Sequence, residues 1–172
     1  MKNVSEYISS LKNKKVFIFD FDGVIVDSVG IKTKAFSQLF ENHGSKVQRK
    51  VVDHHLENGG MSRHKKISFY YKEFLNHSLN EQELNTLCND FSDLVLKEVI
   101  EAPLIDGVLS FINKLNKMNK KIYINTGTPQ DEIKIILQKK QLIKSFDAAY
   151  GSPRSKHQNM EIIINQNSKN LS

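Results

Sequence analysis

The period of the apolar positions changes along the chain, and each change marks an element. Val16-Phe17-Ile18-Phe19 is apolar without interruption and is followed by Asp20, Asp22 and Gly23. A short β-branched and aromatic run closed by a glycine signal predicts a buried parallel strand. Beyond Ser28 the period becomes helical. Ala35, Phe36, Leu39 and Phe40 share a face over 29–42, and Val47, Val51, Val52 and Leu56 share one over 47–57. Gly59-Gly60 breaks the chain, and Ser62 is placed to cap a third helix through Ile67, Tyr70, Tyr71 and Phe74. A fourth begins near Asn80, with Glu81 and Glu83 where acids suit the helix dipole, and runs to Ile100. So long a helical stretch exceeds a simple crossover and predicts an inserted helical subdomain.

After Pro103, a helix opening at Asp106-Gly107 carries Val108, Phe111, Ile112 and Leu115 on one face. Ile122 to Gly127 reads as a second strand. Thr128-Pro129-Gln130-Asp131 has the form of a helix start, with Thr128 as N-cap, Pro129 in the first turn and Asp131 at the capping-box position. Phe146 to Tyr150 reads as a third strand, and a helix is predicted from Lys156 to about Asn165, followed by a frayed polar tail. A further short helix over 3–13, with Val4, Ile8 and Leu11, precedes the first strand. Strands alternating with helices predict an α/β fold, a Rossmann-like doubly wound parallel sheet. The expected division is an α/β core of residues 1–28 and 101–172 with a helical cap over 29–100.

Composition narrows this picture without redirecting it. The 172 residues are 39% hydrophobic and 26% charged, which suits a folded domain and not a disordered one. The net charge of +6 favours anionic partners. Lysine is spread along the chain in no dense block, so nucleic acid is not expected. The single cysteine, Cys88, excludes an internal disulfide and reads as a small core residue. Neither a secretory leader nor a membrane span is evident, so a cytoplasmic location with no membrane partner is expected.

In a parallel sheet the carboxyl ends of the strands converge on one edge, where such folds bind ligands. Asp20 and Asp22, then Thr126, then Ser152 and Lys156 stand at those ends. Residues two apart on a strand point the same way, so the two carboxylates are expected side by side, and such a pair needs a cation or a shared proton. A turn or N-cap acid beside Gly23 is the plainer reading, but it needs only one acid. Phosphoryl transfer uses the whole set: a carboxylate nucleophile, a second carboxyl as acid and base, a hydroxyl for phosphate oxygens, a lysine for charge, and Mg²⁺ to offset repulsion.

These residues resemble the haloacid dehalogenase superfamily of hydrolases, most closely its phosphoglycolate-phosphatase-like branch with a helical cap. Asp20-Phe21-Asp22-Gly23-Val24 is similar to the family's first motif, Ile124-Asn125-Thr126-Gly127 to the second, and Gly151 to Lys156 to the third. The resemblance implies that Asp20 is the nucleophile and a metal ligand. It implies that Asp22 is the general acid/base, with its backbone carbonyl on the metal. Thr126, with Gly127 beside it, would bind the phosphoryl group, and Lys156 would balance charge. Members that cleave carbon–halogen bonds lack the second acid, so Asp22 points to phosphate chemistry. The implied activity is a Mg²⁺-dependent phosphatase of a small phosphorylated metabolite. The alternatives are a phosphomutase of the same branch, or an impaired fragment or binding module.

The family's fourth motif, an acidic pair, has no counterpart here, and no acid follows Glu161. A truncated, split or fragmentary product is the expectation, with a weakened metal site and a first strand left open to self-association. Gly59-Gly60-Met61-Ser62-Arg63 is the candidate cap loop, with Arg63 placed to grip an anionic group or, alternatively, solvated in a turn. His54, His55 and His64 complete no ligand set, and Lys65-Lys66 reads as a solvated face.

Overall fold

Among the described residues, three parallel strands form one sheet in the order β1-β2-β3: β1 (Val16–Phe19), β2 (Lys121–Pro129) and β3 (Ala148–Ser152). The computed structural model describes residues 11–171, with side chains to 168. The helix expected over 3–13 therefore lies almost wholly outside the described residues. Val16 is in register with Lys121 and Phe19 with Ile124. Tyr123 pairs with Ala148, and the β2–β3 register shifts between Asn125 and Pro129. The chain is thus mixed α/β with a parallel sheet, as the alternation of elements predicts.

Between β1 and β2 run α1 (Val29–Leu39), α2 (Ser45–Glu57), α3 (Arg63–Leu75), α4 (Glu81–Glu101) and α5 (Val108–Lys117). The first four form the helical layer. Their apolar faces meet in an aromatic cluster, with Phe36 4.3 Å from Phe91 and 5.8 Å from Tyr70, and Phe40 5.6 Å from Tyr70, between ring centroids. Asn80 begins α4 with a full capping box: its side chain accepts from the Glu83 N–H, and the Glu83 carboxylate accepts from the Asn80 N–H. Ser62 precedes α3 with extended backbone but makes no side-chain cap bond.

Helices α6 (Gln130–Lys139) and α7 (Lys156–Leu171) complete the core. Several boundaries differ from expectation: β3 is Ala148–Ser152 where Phe146 to Tyr150 was expected, and α1 ends at Leu39 within the expected 29–42. Thr128 does not cap α6. The strand runs on to Pro129, because the Gln130 side chain bridges the shifted register, donating to the Ala149 carbonyl at 3.0 Å and accepting from the Gly151 N–H at 2.8 Å. The last helix was expected to end near Asn165. Helix α7 continues to Leu171, pinned by the buried Asn167, whose amide donates to the Tyr123 hydroxyl on β2 at 3.0 Å.

One hydrophobic core joins the helical layer to the sheet, from Phe36, Tyr70 and Phe91 to Ile122, Ile124 and Ile133. Cys88 belongs to it, at 4% exposure. Burial pushes its thiol up to about 11, against the pull of Arg63. Cys88 is expected to resist a maleimide at neutral pH until the chain is unfolded. Rapid labelling of the native protein would contradict this. Among the described residues, no helix is long and apolar enough to cross a membrane.

Candidate active site

The strand that leads to the first acid stops at Phe19, so alternation along a strand does not align Asp20 with Asp22. A tight loop does. The Phe21 carbonyl accepts from the N–H groups of Val24, Ile25 and Val26, and the Gly23 N–H donates to Val26 at 2.8 Å. Gly23 has φ +72°, and a Cβ there would lie 2.8 Å from the Val29 side chain. The winding brings both carboxylates to one cavity of about 180 Å³, which Gly127 and Thr128 also line.

Each carboxylate has its own ammonium, so the pair is relieved by two cations from the chain itself. The Asp20 Oδ2 accepts from Lys156 at 2.5 Å, and its Oδ1 accepts from the Phe21 N–H at 2.7 Å. The Asp22 Oδ2 accepts from Lys32 at 2.6 Å and from the Thr128 hydroxyl at 3.2 Å, and its Oδ1 accepts from Ser28 at 2.7 Å. Burial alone would raise the Asp22 carboxyl. The charge of Lys32 and the bonds from Lys32, Ser28 and Thr128 outweigh it and hold the group below its ordinary value.

Lys156 is aimed from the start of α7. The Asn125 amide on β2 donates to the Lys156 carbonyl at 2.8 Å and accepts from the Asn159 amide at 3.2 Å. Ser155 and Gln158 cap the same turn reciprocally. The ends of β2 and β3 must also lie close, and Gly151 permits this. A Cβ there would come within 2.4 Å of the Thr128 carbonyl and 2.8 Å of the Gln130 nitrogen, both backbone atoms. Gly151→Ala is therefore expected to cost about 2 kcal/mol or more, the scale of overpacking a tight site. Urea denaturation measures it, and an unchanged midpoint would refute the assigned crowding.

The other expected site residues fall as follows. Thr126 is buried; its hydroxyl donates to Thr128 Oγ1 at 3.3 Å and accepts from the Thr128 N–H at 3.2 Å. Thr126, Gly127 and Lys156 line a second cavity of about 160 Å³ with the cap loop. Gly127 is where that loop rests: a Cβ there would meet the Gly60 carbonyl at 3.3 Å. Gly59, Gly60 and Met61 line the first cavity as well.

Arg63 lines that cavity too, but its fork is taken, which corrects the expectation of a hand free for an anion. Its guanidinium donates to Glu132 on α6 at 2.8 and 2.5 Å, and also to Ser92 and the Cys88 carbonyl. It lies 4.8 Å from the centre of the Phe91 ring.

Lys32 and Lys66 were not expected at the site. Lys66, read as solvated, is 1% exposed and lines the cavity from the helical layer. His55, without a role in the sequence, is buried behind it. A signal existed: Lys32 shares a helical face with Ala35 and Phe36, and Lys66 one with Arg63 and Tyr70, so both lysines stand on buried stripes.

Asp20 and Asp22 are hard oxygen donors of the type Mg²⁺ takes. The Asp22 carboxylate is already held by three donors, and no group of three or more His, Cys, Asp or Glu able to hold a metal occurs among the described residues. The fit is partial: the Asp20 carboxylate and the Asp22 backbone carbonyl are the groups that would hold the ion.

Residues 17–168 match the model of the haloacid dehalogenase-like hydrolases. The chain belongs to that family. A curated relative, the validoxylamine A 7'-phosphate phosphatase of Streptomyces hygroscopicus subsp. limoneus, is 25% identical over 118 residues, 68% of this chain and 52% of the relative. The chain thus spans about half the length of the curated relative it matches. A haloacid dehalogenase-like hydrolase from Bacteroides fragilis superposes with a TM-score of 0.70 at 18% identity, over 90% of this chain and 73% of that one. A β-phosphoglucomutase from Clostridium difficile does so with a TM-score of 0.68 at 22% identity, over 83% and 64%. These two likenesses concern the fold.

Proposed function

We propose that this family member is a Mg²⁺-dependent phosphomonoester hydrolase acting on a small phosphorylated metabolite. The observation that carries the reading is the pair Asp20 and Asp22, each held by its own lysine in one cavity beneath the helical layer. An Asp20 carboxylate oxygen attacks phosphorus, and the bond from phosphorus to the leaving oxygen breaks. Asp22, ionised against Lys32 in the substrate-free site, takes up a proton as the substrate arrives and gives it to the leaving oxygen. Asp22, ionised again, takes a proton from the water that hydrolyses the aspartyl-phosphate, releasing phosphate and restoring Asp20. Mg²⁺, held by Asp20 and the Asp22 carbonyl, would supply positive charge against the incoming phosphate. Thr126 and Gly127 at the end of β2, with Lys156, receive the phosphate oxygens. The Streptomyces relative, a phosphatase named for a 7'-phosphate, supports the same reaction class.

The test is phosphate release from phenyl phosphate, with Mg²⁺ and after chelation. Release is expected with the metal and its loss on chelation. Absence of Mg²⁺-dependent release from phenyl phosphate and from a panel of small phosphate monoesters would overturn the reading.

A further inference from the structure

Of the cations at the two cavities, Lys65 and Arg154 are exposed to water, and three others have a carboxylate: Lys32 on Asp22, Lys156 on Asp20, and Arg63 on Glu132. Lys66 has none among the described residues. Its ammonium donates to His55 Nδ1 at 2.7 Å and to the His55 carbonyl at 3.2 Å, both uncharged acceptors. Burial and the neighbouring Lys66 push the His55 imidazole down to about 4, so it is neutral and its Nδ1 is free to accept. The Phe36 ring lies 5.5 Å from the ammonium and offers only its π face.

A buried ammonium with neutral partners is a costly thing to keep for structure alone. Burial and the nearby Lys32 pull Lys66 down to about 8, against the pull of Asp22, so it still carries its charge at neutral pH. An ammonium has three donors. His55 takes two, and the third has no protein acceptor among the described residues. Lys66 stands in the wall that the helical layer contributes, and Asp20, Asp22 and Thr128 stand in the core's wall. The space of about 180 Å³ is roughly that of six waters, enough for a phosphate and a short arm.

We infer that Lys66, held by His55, receives a second anionic group on the leaving-group side of the substrate, a carboxylate or a second phosphate. The substrate class is then a small phosphate monoester anionic at both ends. This rests on the phosphatase reading above, which places the scissile phosphate at Asp20.

Calorimetric titration in Mg²⁺ buffer with non-hydrolysable phosphonates tests it. Ethyl- and propylphosphonate carry one anionic end. Phosphonoacetate and 3-phosphonopropionate add a carboxylate, and methylene- and ethylenediphosphonate add a second phosphonate. At least one doubly anionic member is expected to bind ten-fold or more tightly than its singly anionic counterpart. Which series gains tells carboxylate from phosphate. Lys66→Met is expected to remove that advantage to within two-fold and to leave the alkylphosphonates unchanged, and Lys66→Arg to keep part of it. Equal binding of both kinds by the native protein overturns the inference without any variant, and so does an advantage that survives Lys66→Met. If even the alkylphosphonates fail to bind, the phosphoryl site itself is wrong. If they bind without an advantage, only the role of Lys66 falls.

Discussion

Asp20→Asn is expected to lower phosphate release by at least ~10³-fold while leaving the fold intact, the scale seen when a nucleophile is removed and the rest of a site remains. The exchange keeps shape. The new amide oxygen can still accept from the Phe21 N–H, which now bonds Asp20 at 2.7 Å. What is lost is the anionic oxygen proposed to attack phosphorus. Lys156 loses its anion as well, but this pair is about one-third exposed on each side, so water can take over the ammonium. The melting temperature should therefore move little while the rate collapses. Steady-state rates with phenyl phosphate, beside a melt monitored by circular dichroism, read both quantities. Turnover above a tenth of the native rate would mean that Asp20 is not the nucleophile.

Glu132→Ala is expected to be the most damaging change to stability, at about 3–5 kcal/mol, the cost of stranding one member of a buried pair. The Arg63 side chain is 4% exposed and that of Glu132 14%. Without Glu132, the guanidinium keeps only Ser92 and the Cys88 carbonyl. Water cannot readily replace a carboxylate so placed. For a chain of this size, a loss on that scale lowers the melting temperature by roughly 6–20 °C. Glu132→Gln should fall between, since it keeps acceptor geometry and loses charge. The double change Arg63→Met with Glu132→Leu should regain most of the loss, because an apolar pair carries no desolvation cost. Urea midpoints for the three variants separate these effects. A single-variant loss below about 1 kcal/mol would show that the pair is solvated in practice.

Local structure was legible in the sequence, and of the chain-distant contacts the meeting of Asp20 with Lys156 was legible while several others were not. The strand at 16–19, the four helices that follow and the Asn80 capping signal depend on neighbours in sequence, and the structure has them. Thr128 was misread because its fate depends on Gln130 reaching to Ala149 and Gly151, a bridge invisible to turn rules. Lys32 and Lys66 were passed over because a lysine on an apolar stripe is ordinarily taken as a solvated flank. Their partners, Asp22 and His55, become neighbours only when α1 and α3 close over the sheet. Arg63 was read as a hand for a ligand because Glu132 lies far along the chain. In each case the misjudged residue was charged or polar, and what it touched was set by tertiary packing.

The register of the sheet also orders events in folding. Val16 must find Lys121 across a loop of roughly a hundred residues, whereas the helices between them are built from near neighbours. Local structure forms on a faster timescale than such distant parallel pairing. During refolding the helical signal should recover first, and a competent site only once the first strand docks. Asp20 sits immediately beyond that strand, so the proposed phosphate release is expected to be the last property to recover.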